Sequence, residues 1–131
     1  MTRHRAGIGG RVRILVVEDD PGVRATVVRM LEFLGHGATA VASGEEAGDL
    51  PDGSAFDAIL ADLRLSGMPG HEVVDRMRRR WPRLKALIMS GDIYREELRA
   101  GAAAGRWRIL AKPFDLEQLA AGLTGLSEPG A

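Results

Sequence analysis

The stretch of sequence that decides the fold runs from residue 56 to residue 62 and reads Phe56-Asp57-Ala58-Ile59-Leu60-Ala61-Asp62. A short apolar run between turn-forming residues is typical of a buried strand in a parallel sheet. This run ends abruptly at the carboxylate of Asp62, and a loop containing Gly67-Met68-Pro69-Gly70 follows it. Ligands of open parallel sheets bind outside the carboxyl ends of the strands. The pattern places Asp62 where such a site would form, although a lone aspartate there is also typical of a residue that caps the following turn.

The composition fits one globular domain. Of the 131 residues, 45% are hydrophobic and 27% are charged, and folding of a chain of this length buries roughly two-thirds of the unfolded surface. The 18 basic and 18 acidic side chains cancel, which gives no electrostatic reason to expect binding to nucleic acid or to an anionic membrane. Cysteine is absent, which excludes disulfides and thiolate metal sites. No apolar run approaches the ~20 residues of a membrane span, and the N-terminus lacks the apolar core of a signal peptide, so we expect a cytoplasmic protein.

Apolar runs and helical spacings alternate along the chain and predict five strands and five helices. The predicted strands are 12–17, 38–41, 56–61, 84–89 and 107–110. The predicted helices are 21–34, 44–50, 71–80, 93–104 and 116–126. This alternation indicates an α/β fold with a doubly wound, five-stranded parallel sheet in the order 2-1-3-4-5. We expect it to occupy residues 11–127, between a flexible N-terminal arm at 1–10 and a C-terminal tail at 128–131.

Polar side chains follow four of the predicted strands at their carboxyl ends. Glu18 and Asp19 follow the first strand, Asp62 the third, Ser90 the fourth and Lys112 the fifth. In the order 2-1-3-4-5 these strands are neighbours, so the five side chains converge on one crevice. The three carboxylates form an all-oxygen site of the kind that Mg²⁺ prefers, and a hydroxyl and a cation suit a phosphoryl group. Without a metal, the carboxylates would repel one another by about 4 kcal/mol per close pair at an effective dielectric constant near 20.

Four motifs, in this order, resemble the receiver domain of bacterial response regulators. They are Val16-Val17-Glu18-Asp19-Asp20-Pro21, Leu60-Ala61-Asp62 with Gly67-Met68-Pro69-Gly70, Met89-Ser90-Gly91, and Lys112-Pro113-Phe114. The resemblance covers residues 12–126 and implies the flavodoxin-like (βα)5 receiver fold. It also implies a phosphoacceptor of a two-component or phosphorelay system, with a sensor histidine kinase or a histidine phosphotransfer protein as its partner. Such a protein signals by conformational change and is not an enzyme beyond self-phosphotransfer and autodephosphorylation.

The resemblance implies a role for each carboxylate. Asp62 is the expected phosphoacceptor and attacks the phosphohistidine of the partner. Asp19 and Asp62 are expected to ligate Mg²⁺ directly, together with the backbone carbonyl of Arg64. Glu18 is expected to act mainly through a bound water. A carboxylate is a poor nucleophile, so it needs an activated donor and a metal that neutralises charge on the transferring group.

The resemblance also assigns the residues that meet the phosphoryl group. Lys112 is expected to pair with its oxygens, and Ser90 to swing inward as a switch hydroxyl; the bond between Lys112 and Pro113 is expected to be cis. Ile109 departs from the family pattern, which has an aromatic residue at this position as partner of the switch hydroxyl. Trp107, on the same side of the strand, either covers part of that surface or packs the edge strand. We therefore expect the weakly anchored helix at 93–104, rather than a side chain at 109, to carry the response.

Several other charged residues are not assigned a role in phosphoryl transfer. Asp57 begins the third strand at the opposite edge of the sheet and is interpreted as a turn residue. Arg64 and Asp92, each two residues beyond a site position, suggest the hypothesis of an ion pair that narrows water access. Four arginines in the helix at 71–80 are interpreted as a mostly solvated face; they are Arg76, Arg78, Arg79 and Arg80.

Three other functions are weighed against this interpretation. A flavin carrier shares the topology, but Glu18-Asp19-Asp20 would repel the flavin phosphate. A phosphatase with an aspartate nucleophile after the first strand needs an Asp-x-Asp pair, which the chain lacks there. A pseudo-receiver that binds partners without phosphorylation would not need the crevice, whose key side chains are all present. The sequence after residue 126 suggests a stand-alone regulator or a receiver from a hybrid kinase, and the pattern does not separate them.

Overall fold

The computed structural model describes residues 11–126, in which ten elements alternate along the chain. The strands are β1 Arg13–Val17, β2 Gly37–Val41, β3 Ala58–Asp62, β4 Lys85–Ser90 and β5 Arg108–Ala111. The helices are α1 Pro21–Phe33, α2 Gly44–Gly48, α3 Gly70–Arg80, α4 Glu96–Ala103 and α5 Leu116–Gly125. The predicted arm at 1–10 and tail at 128–131 lie outside the described residues.

The five strands form one parallel sheet in the order β2-β1-β3-β4-β5, which confirms the predicted topology. Every residue of β3 is buried, because helices cover both faces of the sheet. Ile59 lies in the hydrophobic cluster beneath α2, α3 and α4, and Leu60 lies in the cluster beneath α1 and α5. This alternation follows from the two-residue period of a strand. Within residues 11–126, no helix combines the length and the apolar content that a bilayer crossing requires.

Three strands extend one residue further toward the carboxyl edge than the apolar runs predict. β3 includes Asp62, β4 includes Ser90 and β5 includes Ala111. Asp62 pairs in register with Met89, and the N–H of Leu63 donates to the Met89 carbonyl at 2.9 Å. The backbone ladder thus continues past the last apolar side chain. Two of the predicted site residues therefore sit on the rigid sheet rather than in the loops.

Two of the α3 arginines hold backbone carbonyls, so for them the prediction of a solvated face is wrong. The Arg80 guanidinium donates to carbonyl oxygens at the end of α2 and in the following loop. Arg78 donates through Nε to the carbonyl of Leu84 at 3.0 Å. Loop carbonyls lack the partners that a helix or sheet would supply, and these guanidiniums satisfy them. Arg76 and Arg79 are exposed, as predicted.

Helix α4 is shorter than predicted. It begins at Glu96 rather than near residue 93, and the residues before it form a loop. In this loop the Asp92 carboxylate accepts the N–H of Tyr94 at 3.1 Å. Tyr94 is 74% exposed, so it does not anchor the helix.

Trp107 anchors α4 instead. Its indole N–H donates to the Leu98 carbonyl at 2.9 Å, and its side chain belongs to the core. Gly101 makes room for the ring, since a Cβ at that position would lie 1.9 Å from it. Trp107 is only 3% exposed, so it packs the edge of the sheet against α4 and does not cover an outer surface.

Candidate functional site

The carboxyl edge of the sheet brings four of the five predicted side chains into one crevice. Glu18 and Asp19 follow β1, Asp62 ends β3, and Lys112 follows β5. Carboxylate oxygens of the three acidic residues all lie within 4.8 Å of one another. Lys112 Nζ lies 2.9 Å from Asp62 Oδ2 and 3.4 Å from Glu18 Oε1. The Lys112–Pro113 peptide bond is cis, as expected.

The loop between β1 and α1 fixes Glu18. Asp20 Oδ1 caps α1 by accepting the N–H groups of Gly22 and Val23 at 2.8 and 3.1 Å, and its own N–H donates to Glu18 Oε2 at 3.1 Å. Such a side-chain cap satisfies amides that have no partner inside the helix. Arg24 Nη1 donates to the Glu18 carbonyl at 2.8 Å. This role of Arg24 could not be predicted, because nothing in the local sequence distinguishes it from Arg29, the other arginine of α1.

Gly70 allows α3 to begin directly against the end of β3. Its N–H donates to the Leu63 carbonyl at 2.9 Å, and a Cβ at this position would lie 2.2 Å from the Asp62 carbonyl oxygen. A residue with a side chain therefore cannot occupy this position without moving the backbone of Asp62. On the other side of the strand end, the Arg64 N–H donates to Asp62 Oδ1 at 3.2 Å. The role of the Arg64 carbonyl as a metal ligand stays a prediction.

Ser90 is held by its own loop. Its hydroxyl donates to the Asp92 carbonyl at 3.0 Å and accepts the Asp92 N–H at 3.0 Å, and the residue is 3% exposed. An inward swing would break both hydrogen bonds. The hypothesised Arg64–Asp92 ion pair is wrong: these two residues form none in the described part of the chain, and the Asp92 carboxylate faces Tyr94 instead.

Burial sets the electrostatics of the crevice. Glu18 is 1% exposed, and burial, followed by the charge of Asp62, raises its pKa against the opposing effects of the Asp20 N–H and of Lys112. Burial alone would lower the pKa of Lys112, but the hydrogen bond and charge of Asp62, together with Glu18, outweigh it and raise that pKa. Lys112 is therefore charged at neutral pH. It compensates only one of the three carboxylates.

The donor set fits a hard divalent cation. Mg²⁺ takes oxygen ligands in an octahedron and commonly combines one or two carboxylates with waters and a phosphate. Glu18, Asp19 and Asp62 supply only oxygen atoms, and their negative charge exceeds the positive charge of Lys112. A bound cation would relieve the repulsion between the buried carboxylates. The crevice is thus suited to Mg²⁺.

Magnesium is expected to stabilise the wild-type fold and not the Asp19→Ala variant. At ten times its dissociation constant, a ligand of the native state adds about 1.4 kcal/mol, which corresponds to a rise in Tm of roughly 3–6 °C for this chain length. The variant is also expected to melt at a higher temperature than the wild type without metal, because it has less repulsion to overcome. Thermal unfolding with and without Mg²⁺ measures both effects. An equal magnesium response in Asp19→Ala would contradict the site, and Asp57→Ala, outside the crevice, is expected to keep the full response.

Asp57 lies at the other edge of the sheet. Its Oδ2 accepts the Arg13 N–H at 2.9 Å, and its own N–H donates to the Arg13 carbonyl at 2.9 Å. It joins the amino ends of two strands. This confirms its predicted position at the edge opposite the crevice, where it links the strand ends rather than forming a turn.

Comparison with known proteins identifies the family. The family model for the response regulator receiver domain matches residues 14–124. The transcriptional regulatory protein TcrA of Mycobacterium tuberculosis is 40% identical over 139 aligned residues, which cover 98% of this chain and 54% of that protein. The chain belongs to the response regulator receiver domain family. It spans about half the length of the curated relatives that it matches.

Solved structures agree with this assignment. The chemotaxis response regulator CheY4 of Vibrio cholerae superposes with a TM-score of 0.78 and 27% identity, covering 88% of this chain and 98% of its own. The BeF3-activated DrrB receiver domain superposes with a TM-score of 0.74 and 25% identity, covering 88% and 97%. The flavodoxin-like receiver fold is therefore confirmed.

Proposed function

We propose that residues 11–127 form a phosphoacceptor receiver of a two-component or phosphorelay system, with Asp62 as the acceptor. The observation that carries this proposal is the 2.9 Å hydrogen bond between Lys112 Nζ and Asp62 Oδ2 inside the acidic cluster. Enzymes and receivers of phosphoryl groups act chiefly by positioning and by charge stabilisation. This crevice supplies a nucleophile, a cation and metal-binding oxygens at one strand edge.

In the proposed transfer step, Asp62 is the nucleophile and the donor's phosphohistidine supplies the phosphoryl group. A carboxylate oxygen of Asp62 forms a bond to phosphorus while the bond from phosphorus to the donor's imidazole nitrogen breaks, and the electron pair leaves on that nitrogen. Lys112 shifts from Asp62 to the phosphoryl oxygens. Mg²⁺, held by Glu18, Asp19, Asp62 and the Arg64 carbonyl, would neutralise charge on the transferring group. Attack of water on phosphorus later breaks its bond to the Asp62 oxygen, which regenerates the carboxylate and releases inorganic phosphate, so the chain accepts and loses a phosphoryl group without turning over another substrate.

A groove beside the crevice fits the phosphodonor. It has a volume of about 670 Å³ and lies between α1 and the loop that joins β5 to α5. Asp20 and Lys112 line its end near the site, while Val23 and Phe114 supply apolar surface. We infer that an apolar helix face of a sensor histidine kinase or histidine phosphotransfer protein packs here, with its phosphohistidine toward Asp62. Because this partner would transfer its phosphoryl group in the cytoplasm, the proposal includes a cytoplasmic location for the chain.

A second candidate function is a pseudo-receiver that binds its partner without phosphorylation. Two observations favour it. The Ser90 hydroxyl is engaged by Asp92, and Ile109 stands where the family usually has the aromatic partner of the switch. We rank it second because Asp62, Lys112 and the metal-binding oxygens are all in place.

Phosphoryl uptake separates these two functions. Acetyl phosphate with Mg²⁺ is expected to add about 80 Da to the intact protein, the mass of one phosphoryl group on the acceptor carboxylate. Removal of the metal with a chelator is expected to prevent the gain, because the carboxylate cluster then lacks its cation. Intact-mass spectrometry measures the change. An unmodified mass under all conditions would support the pseudo-receiver and contradict the phosphoacceptor.

The response to phosphorylation is expected in residues 91–106 rather than in a side-chain rotation at Ile109. In α4 only Leu98 and Gly101 are buried, and most other positions of the β4–α4 loop and α4 are exposed, so local opening of this segment costs less free energy than opening of the fully buried β3. A phosphoryl group can shift only an equilibrium that already exists. Hydrogen exchange is expected to show weak protection of this segment without ligands and altered protection with Mg²⁺ and beryllofluoride. Amides as protected as those of β3, with no response, would contradict this prediction.

A further inference from the structure

A second pocket lies at the amino edge of the sheet, opposite the phosphoacceptor crevice. It has a volume of about 400 Å³, and its floor is built from Phe56, Trp81 and Leu84. The two aromatic rings meet edge to face with centroids 5.2 Å apart, and the Trp81 indole N–H donates to the Ser54 carbonyl at 2.9 Å. Leu84 and Phe56 are buried, whereas Trp81 is half-buried. The floor is therefore firmly held, and Trp81 is not fully buried in it, although the Arg80 guanidinium lies over its ring.

Basic side chains line the pocket beside these aromatic residues. Arg80, Arg83 and Lys85 line the pocket with Asp57, although the whole chain has equal numbers of basic and acidic residues. Arg80 is bound to loop carbonyls, and the Asp57 carboxylate accepts the Arg13 N–H. Arg83 and Lys85 are exposed, and neither makes a side-chain hydrogen bond or ion pair within residues 11–126. Among residues 11–126, Asp57 is the one anion that lines the pocket against the three cations Arg80, Arg83 and Lys85, so the lining carries a net positive charge beside an apolar surface.

We propose that this basic-aromatic pocket, formed by Phe56, Trp81, Arg83, Leu84 and Lys85, binds an acidic peptide segment of a partner protein. The segment would carry an apolar side chain between carboxylates. The apolar side chain covers the accessible part of the indole, and the carboxylates pair with the two free cations. Complementary charge at the edge of an apolar contact favours association and selects the partner. Because the pocket lies at the opposite edge of the sheet, this binding is separate from the proposed phosphoryl transfer.

Nucleic acid fits the pocket less well. Strong binding to DNA uses a row of phosphate contacts, about 6–10 in typical proteins, and this pocket offers two free cations. Single strands are bound by stacking bases on open aromatic faces. Phe56 is 8% exposed, and the Arg80 guanidinium lies over the Trp81 ring, 4.5 Å from its centroid. The pocket therefore favours a carboxylate-bearing chain over a nucleotide.

An NMR titration of the full chain tests this proposal. The probe is a capped synthetic peptide of alternating glutamate and leucine residues, and the signals are the indole N–H groups of the two tryptophans. The peptide is expected to shift the Trp81 signal in a saturable manner and to leave the buried Trp107 signal in place. Lys85→Glu and Arg83→Glu are each expected to weaken binding roughly tenfold, because attraction to carboxylates becomes repulsion.

Arg79→Glu provides the matched control, since Arg79 is exposed on α3 and does not line the pocket. This variant is expected to bind the peptide like the wild type. All three variants are expected to take up a phosphoryl group from acetyl phosphate normally, so a failure here is distinguishable from a failure of the phosphoacceptor assignment. The proposal is overturned by an unmoved Trp81 signal, by equal loss of binding in Arg79→Glu and Lys85→Glu, or by tighter binding of a duplex oligonucleotide of equal charge.

Discussion

Asp62→Asn is expected to abolish phosphoryl uptake from acetyl phosphate and Mg²⁺. The amide has nearly the same shape as the carboxylate, and its oxygen can still accept the Lys112 hydrogen bond that Asp62 Oδ2 accepts at 2.9 Å. It carries no negative charge, however, so it is neither a nucleophile toward phosphorus nor a good ligand for the metal. The wild type is expected to gain about 80 Da for one phosphoryl group, and the variant is expected to gain nothing, by intact-mass spectrometry.

Asp57→Asn is the matched control for this change. Asp57 lies in the same segment of sequence but at the amino edge of the sheet, where its carboxylate accepts the Arg13 N–H. An asparagine oxygen can accept the same hydrogen bond, so we expect normal folding and normal phosphoryl uptake. Uptake that survives in Asp62→Asn at the wild-type level would move the acceptor to another residue.

Gly70→Ala is expected to have the largest effect on folding. The added Cβ would lie 2.2 Å from the carbonyl oxygen and 2.8 Å from the carbonyl carbon of Asp62. Backbone atoms cannot rotate away as a flexible side chain would, so either α3 or the end of β3 must move. Overpacking of this kind costs about 1–3 kcal/mol, or roughly 2–13 °C in Tm for this chain length. Since the strand end carries the acceptor, phosphoryl uptake is expected to fall sharply as well.

Gly48→Ala separates this close approach from the general effect of replacing a glycine. Gly48 lies in α2, and a Cβ there would meet no atom within 4 Å. Alanine in a helix is favoured over glycine by roughly 0.5–1 kcal/mol, so this variant is expected to melt at a higher temperature. Thermal unfolding of both variants is the measurement. A Gly70→Ala protein as stable as the wild type would contradict the close contact between α3 and the strand end.

The order and type of all ten elements could be predicted from the sequence, because apolar runs and helical spacings differ clearly along most of the chain. The ends of the strands could not. Asp62 and Ser90 are polar, so the apolar pattern ends before them, yet the backbone ladder includes both. Pairing between neighbouring strands decides where a strand ends, and the sequence of one segment does not show which residues of another strand pair with it.

Long-range contacts of side chains were the least predictable part. Arg80 and Arg78 have the spacing of exposed helix residues, but loops that are distant in sequence bring carbonyls within their reach. Packing of the edge strand, one of the two interpretations of Trp107, is confirmed, but its contact with α4 beside Gly101 could not be predicted. Asp92 does not form the hypothesised ion pair with Arg64. Its backbone N–H donates to the Ser90 hydroxyl and its carboxylate accepts the Tyr94 N–H, so contacts within the loop after β4 hold it.

The members of the site were predictable because topology decides which strand ends are neighbours. Glu18, Asp19, Asp62 and Lys112 meet for this reason. The contacts that orient them were not predictable, since they depend on how loops close over the strand ends. The hydrogen bond from Arg24 to the Glu18 carbonyl is one example.

The most direct test of the phosphoacceptor assignment is to locate the phosphoryl group in the wild-type protein. Phosphorylated protein can be reduced with borohydride, which converts an aspartyl phosphate to homoserine, and its peptides can then be sequenced by mass spectrometry. The assignment predicts homoserine at position 62 and unchanged aspartate at Asp19 and Asp57. Homoserine at another position, with Asp62 intact, would contradict it.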